Sequence, residues 1–163
     1  GLPRSGEAVL FELLSLEIFQ AGLSWELILK KRATIFKAFE EFDVDTIAGY
    51  CEKDITRLLG DTGIIRNRLK VTSIIENAKC IQEMRYSYGG FANFLEKHHP
   101  MARSGWVKLF KKTFKFTGGE IVNEFLMSLG YLPGAHSPEC PAYYRILAKK
   151  PPWTQVEIAL FDD

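Results

Sequence analysis

Apolar side chains recur along this chain mostly at three- and four-residue intervals, the period of helices rather than strands. Between Glu7 and Gln20, the residues Leu10, Leu13, Leu14, Leu16 and Phe19 mark a helix that is apolar on almost every face. Such a helix belongs at the centre of a fold. Gly22 interrupts it, and Ser24 can cap a second helix through Trp25, Ile28, Leu29, Ile35, Phe36 and Phe39, with Lys30, Lys31 and Arg32 on its other face. Asp43 and Asp45 offer N-caps for a short helix around Thr46 to Tyr50, and Asp54 offers one for Ile55 to Leu59, which stops at Gly60. Beyond the turn Gly60-Asp61-Thr62-Gly63, a long helical pattern runs from Arg66 to about Met84, buried along Ile74, Ile75, Ala78 and Ile81. Gly89 and Gly90 break it. Further helices are predicted over Phe91 to Leu95, Trp106 to Phe110 and Ile121 to Leu129, the last ended by Gly130 as a C′ residue. Phe114-Lys115-Phe116 alternates, but a lone three-residue strand has nothing to pair with. The Pro-rich tail from Pro133 is expected to pack along the surface. The expected fold class is therefore all-α: a single-domain helical bundle over residues 1–163.

Composition narrows the picture without redirecting it. The 163 residues are 47% hydrophobic and 25% charged, which suits one soluble domain with its own core. Three cysteines, Cys51, Cys80 and Cys140, are too few and too uneven for a disulfide framework, so a reducing, cytoplasmic setting is expected. No stretch approaches the roughly 20 apolar residues of a membrane-spanning helix, and Gly1-Leu2-Pro3-Arg4 opens no signal peptide. Lacking an initiator Met, the chain reads as a processed or trimmed form of something longer. A net charge of +1 is uninformative, so any nucleic-acid surface must come from local segregation of Lys and Arg.

One such segregation follows the turn. From about residue 54 to residue 84, two helices meet through a Gly-containing turn, and the second opens with Arg66, Arg68 and Lys70. Gly63 has no Cβ and lets backbone approach a ligand closely. The free N–H groups and positive dipole end of a helix start suit a phosphate. The segment resembles the helix-hairpin-helix motif of DNA-repair proteins. An ordinary αα corner with solvated charges would give the same pattern.

Glu17 is the other anomaly, a carboxylate inside the most apolar helix of the chain. A buried carboxylate needs a partner, a raised pKa or a task. A structural salt bridge would satisfy it. So would a ligand, and Trp25, eight residues on across a Gly break, could share a cavity with it.

The run Leu16-Glu17-Ile18-Phe19-Gln20-Ala21-Gly22-Leu23-Ser24-Trp25, with Lys30-Lys31-Arg32 behind it, resembles the signature of the DNA-3-methyladenine glycosylase I family. The likeness continues through Gly63-Ile64-Ile65-Arg66 and Phe114-Lys115-Phe116-Thr117-Gly118 to Gly134-Ala135-His136-Ser137-Pro138-Glu139-Cys140. It implies a monofunctional base-excision repair enzyme that hydrolyses the N-glycosidic bond of 3-methyladenine, with water as nucleophile and no cofactor in the chemistry. By that resemblance Glu17 is the catalytic residue, Trp25, Phe19, Gln20 and Asn123 bind the base, and Gly63, Ile65, Arg66, Arg68, Lys70 and Lys115 contact DNA. The partner is double-stranded DNA with alkylated bases, bound by a monomer in a bacterial-type cytoplasm, at the nucleoid.

The sequence also departs from the family. Its structural zinc is held by an N-terminal Cys and His with a C-terminal His and Cys; His136 and Cys140 match the second pair, and the first pair is not in this chain. Structural zinc takes four protein ligands, so a bound zinc is not expected in this form. Aromatic residues that normally reach the pocket from the same segment are missing too, leaving Tyr50, Trp106 or Phe19 to replace them. Asn123 stands where better-known members have Tyr. The rival expectation is a catalytically inactive helix-hairpin-helix module that binds DNA and releases no base.

Overall fold

The computed structural model describes residues 1–163, and every regular element is helical. The α-helices are α1 (Glu7–Gln20), α2 (Trp25–Ala38), α3 (Val44–Ala48), α4 (Glu52–Leu59), α5 (Arg68–Ser87), α6 (Phe91–His98), α7 (Arg103–Thr113), α8 (Gly119–Leu129) and α9 (Pro141–Leu147). Short 3₁₀ turns lie at Glu40–Phe42, Pro152–Gln155 and Ile158–Phe161. No helix is long and apolar enough to cross a membrane.

Helix α1 takes the central position that its pattern predicts. Eight of its residues are buried, from Leu10 to Phe19, and it packs against α2, α3, α5, α6 and α8. One contiguous cluster of 36 buried hydrophobic residues extends from Leu10 to Phe161. Large rings fill it on both sides of α1. Phe39 stacks on Phe42 at 5.5 Å, while Phe91 stacks on Phe125 at 5.9 Å in the half built from α6, α7 and α8.

The helix starts follow local chemistry. Ser24 accepts from the Leu27 amide at 3.2 Å, and Asp43 accepts from the Thr46 amide at 3.0 Å. Several predicted starts are displaced, two of them through their capping residues. Helix α4 begins at Glu52, with Cys51 as its N-cap, and Asp54 sits inside the first turn, where its carboxylate accepts from the Cys51 amide at 2.9 Å. Helix α5 begins at Arg68 rather than Arg66, because Asn67 caps it through the Lys70 amide at 3.1 Å. At the far end of α8, Gly130 takes the left-handed conformation (φ 76°) that the C′ position requires.

Phe114-Lys115-Phe116 forms no strand. It is a bend with Phe116 at φ 59°, held by Asn77, which accepts from the Lys115 amide at 2.7 Å and donates to the Lys115 carbonyl at 3.1 Å. The tail is more ordered than its proline content suggests. It contains α9, returns Phe161 to the core against His99, and ends with the Asp163 carboxylate accepting from the Ser104 amide at the start of α7.

Candidate functional site

The C-terminal end of α1 opens onto a cleft between α1 and α8. The cleft has two lobes, of about 560 and 730 Å³, and Glu17, Gln20 and Glu124 line both. The first lobe is closed by Ala21, Gly22 and Leu23 on one side and by Gly118, Gly119, Glu120 and Ile121 on the other. The second is bounded by Gly1, Trp25, Met127 and Ser128 and by Gly134, Ala135 and His136. Both volumes are in the range of small-molecule sites.

Glu17 and Trp25 therefore face one space. Trp25, the first residue of α2, lines the second lobe and keeps 41% of its surface exposed. Glu17 is half-buried and makes neither an ion pair nor a hydrogen bond within the chain. Burial, and then repulsion from Glu124, push its carboxyl up to about 7. A carboxyl that titrates near neutrality in a cleft is a candidate for acid–base or ligand-charge chemistry.

Two supports fix this end of α1. Lys70 is only 5% exposed, and its ammonium donates to the carbonyls of Phe19 at 2.9 Å and Ala21 at 2.7 Å. These are orphan carbonyls of a helix end, so a cation there satisfies both hydrogen bonding and the helix dipole. The same ammonium lies 5.9 Å from the centre of the Phe116 ring, which ties α1 to the loop carrying Gly118 and Gly119. Desolvation lowers the Lys70 pKa.

Several sequence-derived site residues lie elsewhere. Lys70 cannot reach out to a phosphate, because its charge is spent on α1. Phe19 is fully buried, edge-on to Phe39 at 5.6 Å, and turns into the core instead of the cleft. Asn123 is half-buried, with its amide 3.8 Å from the Met127 sulfur, and does not line the cleft. Nor do the aromatic replacements: Tyr50 donates to Glu40 at 2.6 Å, and Trp106 is fully buried. Gln20 does line both lobes.

The hairpin between α4 and α5 is braced against α2. Lys31 donates to the Thr62 carbonyl at 2.7 Å, Thr34 donates to the Gly63 carbonyl, and the Gly63 amide donates to Asp61 at 2.7 Å. A Cβ on Gly63 would come within 2.9 Å of Thr34, so this glycine is required by close packing as well as by the turn. Past it, the amides of Ile65, Arg66, Arg68 and Leu69 have no acceptor within the chain. Arg66 is exposed and unpaired, whereas Arg68 grips Glu52 through both carboxylate oxygens at 2.6 and 2.8 Å. Lys115 is exposed on the loop that Asn77 holds. Four free amides beside a free guanidinium are donors of the kind that an anion at a helix start would use.

His136 and Cys140 come together, with Sγ 3.4 Å from Nδ1, but no third His, Cys, Asp or Glu joins them. Two donors do not fit a structural zinc, which requires four.

Sequence reasoning missed Glu124, Asn77 and the supporting role of Lys70. Glu120 and Glu124 stand four apart on α8, a spacing that reads equally well as a solvated helix face.

Comparisons with known proteins bear on the family and the fold. The family described as methyladenine glycosylase matches residues 1–105. The chain is 33% identical over 162 residues to DNA-3-methyladenine glycosylase 1 of Escherichia coli, covering 88% of this chain and 86% of that protein. It is 34% identical over 160 residues to the DNA-3-methyladenine glycosylase of Haemophilus influenzae, covering 86% of each. Among solved structures, 3-methyladenine DNA glycosylase I from Staphylococcus aureus, described for its recognition of 3-methyladenine, superimposes with a TM-score of 0.78 at 30% identity, over 87% of this chain and 85% of that one. With this fold, and with sequence similarity over nearly its full length, the chain belongs to the methyladenine glycosylase family.

Proposed function

We propose that this chain excises 3-methyladenine from alkylated double-stranded DNA by hydrolysing the N-glycosidic bond, a reading supported by relatives named DNA-3-methyladenine glycosylase. The observation that carries the reading is Glu17, an unpartnered carboxyl that shares with Trp25 a cleft large enough to admit a base.

The chemistry follows from the lesion. Methylation at N3 leaves the base cationic within the nucleotide, and an enzyme acting on it must turn it out of the duplex into a pocket. Trp25 offers a π surface to that cation. Glu17 offers an anionic acceptor to the amine and ring edge. When the bond to C1′ breaks, its electron pair neutralises the ring, and water adds to the sugar. The leaving group is activated by its own charge, so neither a strong nucleophile nor a cofactor is required. The free amides of Ile65, Arg66, Arg68 and Leu69 and the Arg66 side chain grip a backbone phosphate while the base is extruded.

The test is release of free 3-methyladenine from methylated duplex. Glu17→Gln should lower excision about 100-fold, equivalent to about 2.7 kcal/mol, with duplex affinity held within about threefold. Equal loss of both would remove Glu17 from the pocket chemistry. Duplex binding with no release by the unaltered chain would leave a helix-hairpin-helix binding module.

A further inference from the structure

Glu124 has no counterpart in the reading from sequence, yet it faces both lobes of the cleft. Helix α8 presents Glu120, Glu124, Met127 and Ser128 to that space, positions separated by four, three and one that fall on a single helical face. The neighbouring Asn123 lines neither lobe, its amide lying 3.8 Å from the Met127 sulfur. Glu17 and Gln20 of α1 lie across from Glu124, and no ion pair takes up the charge of either glutamate. We propose that Glu124 is a second base-binding carboxylate of this cleft and that, with Glu17, it selects purines carrying a positive charge. The inference rests on the base-cleft reading above and adds to it the residue that discriminates by charge.

The physical basis is repulsion that only a cation relieves. Glu124 is the second cause, after burial, that holds the Glu17 carboxyl up to about 7. Other ionisable groups facing the cleft are Glu120 from α8 and His136 from the following loop. A neutral purine entering between α1 and α8 leaves the two carboxylates as they were. A cationic purine is attracted by both and makes the ionised form of Glu17 favourable, so its binding expels a proton. Selectivity arises only from such differential interactions, not from contacts common to both ligands.

Calorimetry on the full chain at pH 7 tests this with two free-base probes, neutral 9-methyladenine and the permanent cation 3,9-dimethyladeninium. The unaltered protein should prefer the cation. Glu124→Gln, an isosteric change at an exposed helix position, should reduce that preference about fivefold. Buffers of different ionisation enthalpy should show proton release on binding the cation, and less of it in Glu124→Gln. A merely structural role would move neither readout. Unchanged preference and proton release in Glu124→Gln, with both reduced in Glu17→Gln, would overturn the role of Glu124 and leave the base cleft standing. Failure of the unaltered chain to bind either probe would overturn the base cleft and this inference together.

Discussion

Two glutamates on α1 had the same problem to solve, and the fold solved it in opposite ways. Glu12 and Glu17 are five residues apart, about 140° around the helix axis, so they meet different neighbours. Glu12 is 8% exposed and pairs with Arg32 of α2 at 2.9 Å. Glu17 meets α8, and burial, then repulsion from Glu124, hold its carboxyl up to about 7. One end of the helix is built by complementing a charge and the other by leaving it uncomplemented. A salt bridge was the bland explanation for an acid in this helix. It holds for Glu12 and not for Glu17.

The sharpest way to break the contrast is to neutralise each acid in turn. Glu17→Gln should cost about 100-fold in base release, whereas Glu12→Gln should leave release within about threefold when both proteins are folded. Comparable losses in the two variants, measured as initial rates on methylated duplex, would dissolve the distinction between the ends of α1.

Next in size is the support beneath the functional end. Replacing Lys70 by Met removes two charge-assisted hydrogen bonds and leaves the carbonyls of Phe19 and Ala21 without donors. The expected loss is about 2–3 kcal/mol of folding free energy, read from the urea midpoint. A phosphate-binding Lys70 would instead change the salt dependence of DNA affinity with little effect on stability.

That misassignment shows what sequence could and could not convey. The apolar run of α1 and the caps at Ser24 and Asp43 depend on neighbours within four residues, so they were legible. So was the convergence of Glu17 and Trp25, which lie on consecutive helices joined by a short turn. Lys70 was read as a surface cation because its partners, Phe19 and Ala21, are 51 and 49 residues away. The same distance problem hid Glu124, whose significance exists only across the α1–α8 gap. Phe19 failed for the opposite reason. It belongs to a genuine local motif, but in an almost wholly apolar helix the sequence does not say which apolar face turns inward. At the hairpin, the basic residues were visible but their partners were not: Glu52 takes Arg68, Glu12 takes Arg32, and Arg66 remains free.

A smaller effect is expected at the complemented end. Glu12→Gln breaks a pair whose Arg32 is about half exposed and can recover water, so the cost should be about 1–2 kcal/mol rather than that of a fully buried pair. Replacing both Glu12 and Arg32 by uncharged residues should recover part of it in a double-mutant cycle. A single-variant cost with no recovery would mean that the pair is incidental to the packing of α1 on α2.

The last prediction concerns pH, and it separates the two ends by sign. Glu17 has an ordinary value of 4.5 in the unfolded chain and about 7 in the fold. Below 4.5 both states hold the proton and Glu17 has no effect on stability relative to a neutral residue. Between 4.5 and 7 the unfolded chain ionises while the folded one does not. Folding then becomes progressively less favourable, and the full loss is reached as pH rises through about 7. The gap would correspond to about 3 kcal/mol if fully expressed, but the group is partly solvated, and screening leaves an expected about 1–2 kcal/mol. Glu17→Gln cannot ionise, so it should match the unaltered protein near pH 4.5 and exceed it at pH 8, by about 2–8 °C in Tm for a chain of this size. Scanning calorimetry at the two pH values decides it. An offset independent of pH would mean that Glu17 is not the group titrating near neutrality and that the fold does not penalise its charge, so the carboxyl would already be ionised and a cationic base would bind without expelling a proton.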